Sequence, residues 1–156
     1  MKIGVVSDTH GLLCPEVAPA LAGVERILHL GDVGDPGILK QLAKIAPVTA
    51  VRGNIDRSGA CSKLPETDVL LLEGHYIYLL HDINTLHLDP AAARFAAVLY
   101  GHSHKPVIKR HKGVLYLNPG SCGPRRFELP VTISLHTIKK DAAPDAQIID
   151  LLREQT

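Results

Sequence analysis

Lys2-Ile3-Gly4-Val5-Val6-Ser7-Asp8-Thr9-His10-Gly11 begins as a short β-branched apolar run and breaks off into polar, turn-forming residues. Residues 2–7 read as a buried strand. The break leaves a carboxylate and an imidazole at the strand's C-terminal end. The same pattern recurs downstream. Residues 26–30 (RILHL) form a second strand stopping at Gly31-Asp32, and residues 48–51 a third stopping at Arg52-Gly53-Asn54. Between them, residues 15–22 suit a helix, with Pro15 tolerated in its first turn. Residues 36–45 suit another, with Ile38, Leu39, Leu42 and Ile45 on one face. A β-α-β-α-β order favours parallel strands with right-handed crossovers. Side chains at the C-terminal ends of such strands occupy the usual place of active sites in open α/β sheets.

The second half reads differently. Residues 69–72 and 76–80 flank Glu73-Gly74-His75 as a hairpin with a Gly-containing turn. Residues 89–97 suit a short helix. Residues 98–100, 107–109, 114–117 and 131–135 supply four more short strands. An exposed loop at 140–145 (KDAAPD) precedes a last strand at 147–151. This count fits two packed sheets with helices outside. With no repeat, low-complexity tract or linker, residues 1–156 are expected to form one domain.

Hydrophobic residues make up 46% and charged residues 21%, a globular composition. A net charge of +1 gives no electrostatic case for a long nucleic-acid footprint or an anionic membrane. No apolar stretch reaches membrane-spanning length, and Asp8 interrupts the first run too early for a signal peptide. A cytoplasmic location is the expectation. The three cysteines, Cys14, Cys61 and Cys122, are scattered without a C-x-x-C pair and read as free structural thiols.

Nine histidines stand out, because imidazole is a common transition-metal ligand. Asp8 and His10 lie two apart at a strand end, so both can turn toward one cavity. Asp32 follows Gly31, Asn54 follows Gly53, His102 and His104 follow Gly101, and His81 follows an apolar run. Alone, Asp8 or Asp32 would more often cap a helix or turn. Asn54 alone would be a turn residue, and His102 and His104 could line a loop. Together they supply donors for two metal ions sharing one carboxylate, the apparatus of metal-assisted phosphate-ester hydrolysis. Mixed carboxylate, imidazole and amide ligands suit Mn, Fe, Zn or Ni rather than a calcium or purely magnesium cage. His29 reads as a core or supporting histidine, and His75, His87, His111 and His136 as surface or turn residues. Arg52 and Arg125-Arg126 have the chemistry to hold a phosphate; a solvated or salt-bridged arginine is the plainer reading.

D-x-H at 8–10, G-D at 31–32, G-N at 53–54, His81 and G-H-x-H at 101–104, in this order, resemble the signature of the calcineurin-like metallophosphoesterases. The G-H-S-H-K-P run at 101–106 and Asn118-Pro119-Gly120-Ser121 look like its small bacterial and archaeal phosphodiesterase branch. The resemblance spans roughly residues 1–126. It implies an α/β fold, a four-layer α-β-β-α sandwich of two mixed β-sheets flanked by helices. It also implies one metal held by Asp8, His10, Asp32 and His104, and a second held by Asp32, Asn54, His81 and His102. Asp32 would bridge the two, and Asp32, Asn54 and His102 would serve catalysis. By the resemblance, a hydroxide between two divalent ions, manganese first and Ni, Co, Fe or Zn otherwise, attacks phosphorus in line. Two such ions about 3.5–4 Å apart acidify a shared water and stabilise attacking and leaving oxygens together.

Two positions depart from the pattern. Ile55 stands where larger members carry a leaving-group-protonating His, which favours substrates with good leaving groups. Asp82 stands where Gly usually follows the His, either orienting a ligand or crowding the metal. A small phosphate diester is the expected substrate, and small members of the family often pair as homodimers. The rival readings are a phosphomonoesterase acting on a nucleotide and a non-catalytic scaffold, as in a eukaryotic retromer subunit of this fold. Coordinating side chains at all seven positions argue for catalysis.

Overall fold

A computed structural model describes residues 1–126 and 128–153. The first sheet joins β1 (Lys2–Val6), β2 (Arg26–His29), β3 (Val48–Ala50), β9 (Thr132–Thr137) and β10 (Asp145–Asp150) in the order β10-β9-β1-β2-β3. β1, β2 and β3 are parallel, as the alternating element order requires, while β9 runs antiparallel to β1 and β10. The second sheet joins β4 (Thr67–Leu72), β5 (His75–Leu80), β6 (Phe95–Leu99), β7 (Val107–His111) and β8 (Val114–Asn118) in the order β4-β5-β6-β8-β7. Here β5, β6 and β8 are parallel and both edge strands antiparallel. The sequence placed both mixed sheets.

The hairpins follow from local chemistry. Glu73 and Gly74 take φ of 49° and 81° between β4 and β5, and Lys112 and Gly113 take 50° and 77° between β7 and β8. Left-handed residues at both centres of a two-residue loop match the twist of the strands they join.

The sheets pack face to face through alternate residues. Ile3, Val5 and Leu28 from one meet Ile77, Leu79, Leu99, Leu115 and Leu117 from the other. The opposite residues of the first sheet, Val6, Ile27 and Ile133, lie under α1 (Val17–Ala20) and α2 (Pro36–Ala43), which bury Val17, Ile38 and Leu42. Pro36 at the first helical position and the Asp35 carboxylate, accepting from Gly37 N at 2.8 Å, start α2.

Helical cover is thinner than expected. α1 is a single turn rather than the helix expected over 15–22. The helix expected over 89–97 is instead a string of turns entering β6 at Phe95. The outer face of the second sheet, with Leu80, Val98 and Tyr100, is packed by Ile83 and Leu86 from the turn at 83–86 and by Ala91 from the turns at 90–94. The alanines at 91–93 suit a helix by composition, yet residues 90–94 form successive turns. Among the described residues no helix is long and apolar enough to cross a membrane. All three cysteines are free, and burial pushes the Cys122 thiol up to about 12, which leaves it inert near neutral pH.

His136, expected at the surface, is buried in β9, because the strand runs two residues beyond the end read from sequence. Its Nε2 lies 2.9 Å from Ser134 Oγ, and burial lowers its pKa from 6.5 to about 4. Burial lowers that of His29 to about 4 as well. The unfolded chain binds two protons that the folded protein refuses. Above about pH 6.5 both rings are neutral in either state and cost nothing; as pH falls toward 4 they destabilise the fold, by at most about 1.4 kcal/mol per pH unit for each. Urea midpoints of metal-free protein should therefore drop from about pH 6.5 to 4.5. His136→Gln, which takes no proton, should flatten that slope; an equal slope in the variant would contradict the assignment.

Candidate metal centre

Five strand ends converge at one edge of the two sheets. β1 delivers Asp8 and His10, β2 Asp32, β3 Asn54, β5 His81, and β6 His102 and His104. Backbone hydrogen bonds tie the turns together: Asp8 N donates to Gly31 O at 3.0 Å, His10 N to Asp32 O at 2.9 Å, and Gly101 N to His81 O at 2.9 Å. All seven residues singled out from sequence lie here. Five of them, Asp8, His10, Asp32, His102 and His104, have φ between 46° and 73°. That left-handed region is unfavourable for non-glycine residues and persists only where the surroundings enforce it. It lets consecutive strand-end residues turn back toward a common centre.

Two glycines permit the crowding. A Cβ on Gly53 would collide with the Asp32 carboxylate, and one on Gly101 with Ser7 Oγ. Here the missing side chain matters for close approach.

The side chains form two groups, Asp8–His10–His104 and Asp32–His81–His102, each with ligand atoms within 4.8 Å of one another. In the first, His104 Nε2 lies 3.4 Å from Asp8 Oδ1 and 3.2 Å from His10 Nε2. In the second, His81 Nε2 lies 3.3 Å from Asp32 Oδ2 and from His102 Nδ1. Asp32 Oδ2 is also 3.5 Å from His10 Nε2, so it faces both groups. Asn54 Oδ1 sits 3.1 Å from His81 Nε2 and from His102 Nδ1. Turning the amide over would aim its NH₂ at those nitrogens and at Asp32. Only the inward oxygen lets Asn54 hold a cation.

These donors fit divalent ions. Asp8 Oδ1 is buried without a hydrogen-bond partner, although its Oδ2 accepts from Ser7 Oγ at 2.6 Å and His102 N at 3.1 Å. A buried carboxylate oxygen lacking a donor is costly, and a cation would satisfy it. His81 Nδ1 lies 2.7 Å from Leu30 O, an acceptor only; in the neutral ring Nδ1 carries the hydrogen and Nε2 offers its lone pair inward. Burial alone would raise the Asp8 pKa, but His10, His104, His81 and the Ser7 hydroxyl hold it below the usual carboxylate range. Asp32 is likewise lowered, with burial outweighed by His81 and the Ile55 N–H. Burial pulls His81 down, yet the Asp32 and Asp8 carboxylates raise it above the ordinary histidine value. Two anions and a ring of lone pairs thus draw positive charge.

Asp82 does not crowd the centre. Its Oδ1 accepts from Asn84 N at 3.0 Å, and its Oδ2 lies 3.9 Å from the outer His102 Nε2. Ile55 is exposed and acts through its backbone, donating from N to Asp32 Oδ1 at 3.0 Å.

Supporting residues are less visible in sequence. His29 accepts from Gly31 N at 3.1 Å and places Nε2 3.0 Å from Thr9 Oγ1, bracing two site turns. Asp56 belongs to no ligand pattern in the sequence, yet its buried carboxylate accepts from Val33 N, Gly34 N and Gly53 N at 3.1, 3.1 and 2.9 Å. Its signal was an Asp three residues past a strand-end glycine, a common turn-stabilising placement. Asn118 donates to Gly101 O at 2.9 Å, and Ser121 Oγ donates to Asp8 O at 2.8 Å. The Asn118–Ser121 stretch shapes the site by packing backbone. Arg52 pairs with Glu66 at 2.7 Å, whereas Arg125 lines a separate groove with Asp150 and Arg153.

The model of the calcineurin-like phosphoesterase superfamily domain matches residues 1–141. The chain belongs to this superfamily. This phosphoesterase is 35% identical over 133 residues to a probable metallophosphoesterase of Methanothermobacter thermautotrophicus, covering 78% of this chain and 77% of that protein. It is 30% identical over 162 residues to a phosphodiesterase of Methanocaldococcus jannaschii, covering 90% and 96%. Among solved structures it is similar to wild-type Vps29 of Entamoeba histolytica complexed with Zn²⁺, with TM-score 0.75, 22% identity, and 97% and 99% of the two chains covered. At that identity the likeness shows the fold. Family membership makes this phosphoesterase a hydrolase of phosphoester bonds.

Proposed function

We propose that the protein is a metal-dependent phosphodiesterase acting on a small phosphate ester with two divalent ions, manganese foremost. The observation that carries this reading is Asp32 Oδ2, placed 3.5 Å from His10 of one group and 3.3 Å from His81 of the other. Asp32 would serve both ions, holding one with Asp8, His10 and His104 and the other with Asn54, His81 and His102. Divalent ions there supply Lewis-acid charge toward the phosphoryl oxygens and acidify a water. Two carboxylates against two dications leave the centre positive, which suits an anionic diester. The protein's part is preorganisation: Leu30 O holds His81 Nδ1, the Ile55 N–H holds Asp32 Oδ1, and Ser7 Oγ and His102 N hold Asp8 Oδ2.

Among the donors, Asn54, His81 and His102 border an open cleft, where substrate would enter. With Ile55 contributing only its N–H, the chain offers no side chain at that position to protonate a leaving alkoxide. Diesters with acidic leaving groups should therefore be the better substrates.

Bis-p-nitrophenyl phosphate should be hydrolysed with Mn²⁺, lose turnover in EDTA and regain it when Mn²⁺ returns. p-Nitrophenyl phosphate, a monoester, should be slower. Protein that demonstrably holds metal yet hydrolyses neither would sink the reading.

A further inference from the structure

Resting on the phosphodiesterase reading, we infer that Glu66, by neutralising Arg52, makes the cleft beside the metal centre a subsite for an uncharged ester arm. The cleft has a volume of about 520 Å³, and Asn54, His81 and His102 are among the residues that line it. Space of that order accommodates a nucleoside-sized group. A diester bound at the centre must direct one arm out of it, and this cleft adjoins the donors.

Its lining is amphipathic. Tyr78 and Leu88 offer apolar surface, and Thr85 and His87 offer polar atoms. Arg52 is the one Lys or Arg side chain among the described lining residues. Both ends of its guanidinium are engaged, one donating to Glu66 Oε1 at 2.7 Å and the other to Ser62 O at 3.0 Å. Asp82, also in the lining, adds a further carboxylate.

The pair is exposed, and its strength is not the point. What matters is that an anion reaching Arg52 must also approach Glu66, 2.7 Å from the guanidinium, in a cleft that Asp82 lines as well. Coulomb repulsion from those carboxylates cancels the attraction that a free guanidinium would give. The cleft lining carries two carboxylates and one guanidinium, so a second phosphate on the ester arm is repelled, while a neutral arm keeps its apolar contacts. Glu66 is a positioning residue, acting through the charge and placement of Arg52.

The test compares two diesters that release the same p-nitrophenolate: thymidine 5′-(p-nitrophenyl phosphate) and its 3′-phosphorylated form. With Mn²⁺-loaded wild type, kcat/KM should be at least about tenfold lower for the 3′-phosphorylated arm. Glu66→Gln should recover most of that difference, chiefly through a lower KM for the charged arm with little change in kcat. Adding Arg52→Gln to Glu66→Gln should abolish the recovery. Metal content, measured for every variant, should match wild type. Equal kcat/KM values for the two arms in wild type would overturn the inference, as would Glu66→Gln slowing both substrates alike. Failure of metal-loaded wild type to cleave either diester or bis-p-nitrophenyl phosphate would instead overturn the phosphodiesterase reading.

Discussion

Asp32→Ala should remove metal-dependent hydrolysis of bis-p-nitrophenyl phosphate, lowering kcat by well over a hundredfold. The expectation rests on position. Asp32 Oδ2 is the carboxylate oxygen within 3.5 Å of an imidazole of each group, and Oδ1 is fixed by the Ile55 N–H at 3.0 Å. Loss of a group that merely orients a metal ligand costs about 10–100-fold. Removing the oxygen both ions would share should cost more, because it weakens two sites and brings their charges together unscreened. A second readout is independent of turnover. An ion binding only the folded state at a hundred times its dissociation constant stabilises by about 2.7 kcal/mol. Wild type should therefore melt higher with Mn²⁺, and Asp32→Ala should lose most of that rise. A variant that retained both activity and the Mn²⁺-dependent shift would remove Asp32 from the centre.

Asp56→Ala should have the second large effect, on stability and activity together. The Asp56 carboxylate is 4% exposed and collects three backbone N–H groups, from Val33, Gly34 and Gly53. It thereby joins the turn after β2 to the turn after β3, the two that present Asp32 and Asn54. Stranding a buried donor costs about 1–3 kcal/mol. With water entering to satisfy some of them, a net loss of about 3 kcal/mol is the expected scale, a large share of a typical 5–15 kcal/mol. Below the melting transition, turnover should still fall tenfold or more, because small displacements of positioned groups are costly. Asp56→Asn should lie between, since its amide keeps one acceptor oxygen and turns an N–H toward a donor. Urea midpoints and kcat measured on the same preparations check this. Wild-type values in both would show that the two turns hold themselves.

The sequence was most informative where short-range rules suffice. The apolar runs ending at Asp8, Asp32 and Asn54 placed three parallel strands, and the spacing of Ile38, Leu39 and Leu42 placed α2. It failed at residues 89–97, where turns at 90–94 lead straight into β6 at Phe95 instead of forming a helix. It failed again at His136, one of the buried polar residues of β9. A polar side chain in a short strand gives no local sign that a second sheet closes over it.

The residue types of the site, their order and the glycines beside them are properties of the chain itself, because close approach and metal ligation each demand particular side chains. What only the tertiary structure decided is their convergence. His10 and His104 are 94 positions apart in sequence, yet their Nε2 atoms lie 3.2 Å apart. That contact exists because two separate sheets bring the C-terminal ends of their parallel strands to one edge. Asp56, Asn118 and the Arg52–Glu66 pair likewise take their meaning from groups distant in sequence. Their roles rest on which hydrogen bonds and charges the packed turns place within reach, a long-range outcome that no local pattern encodes.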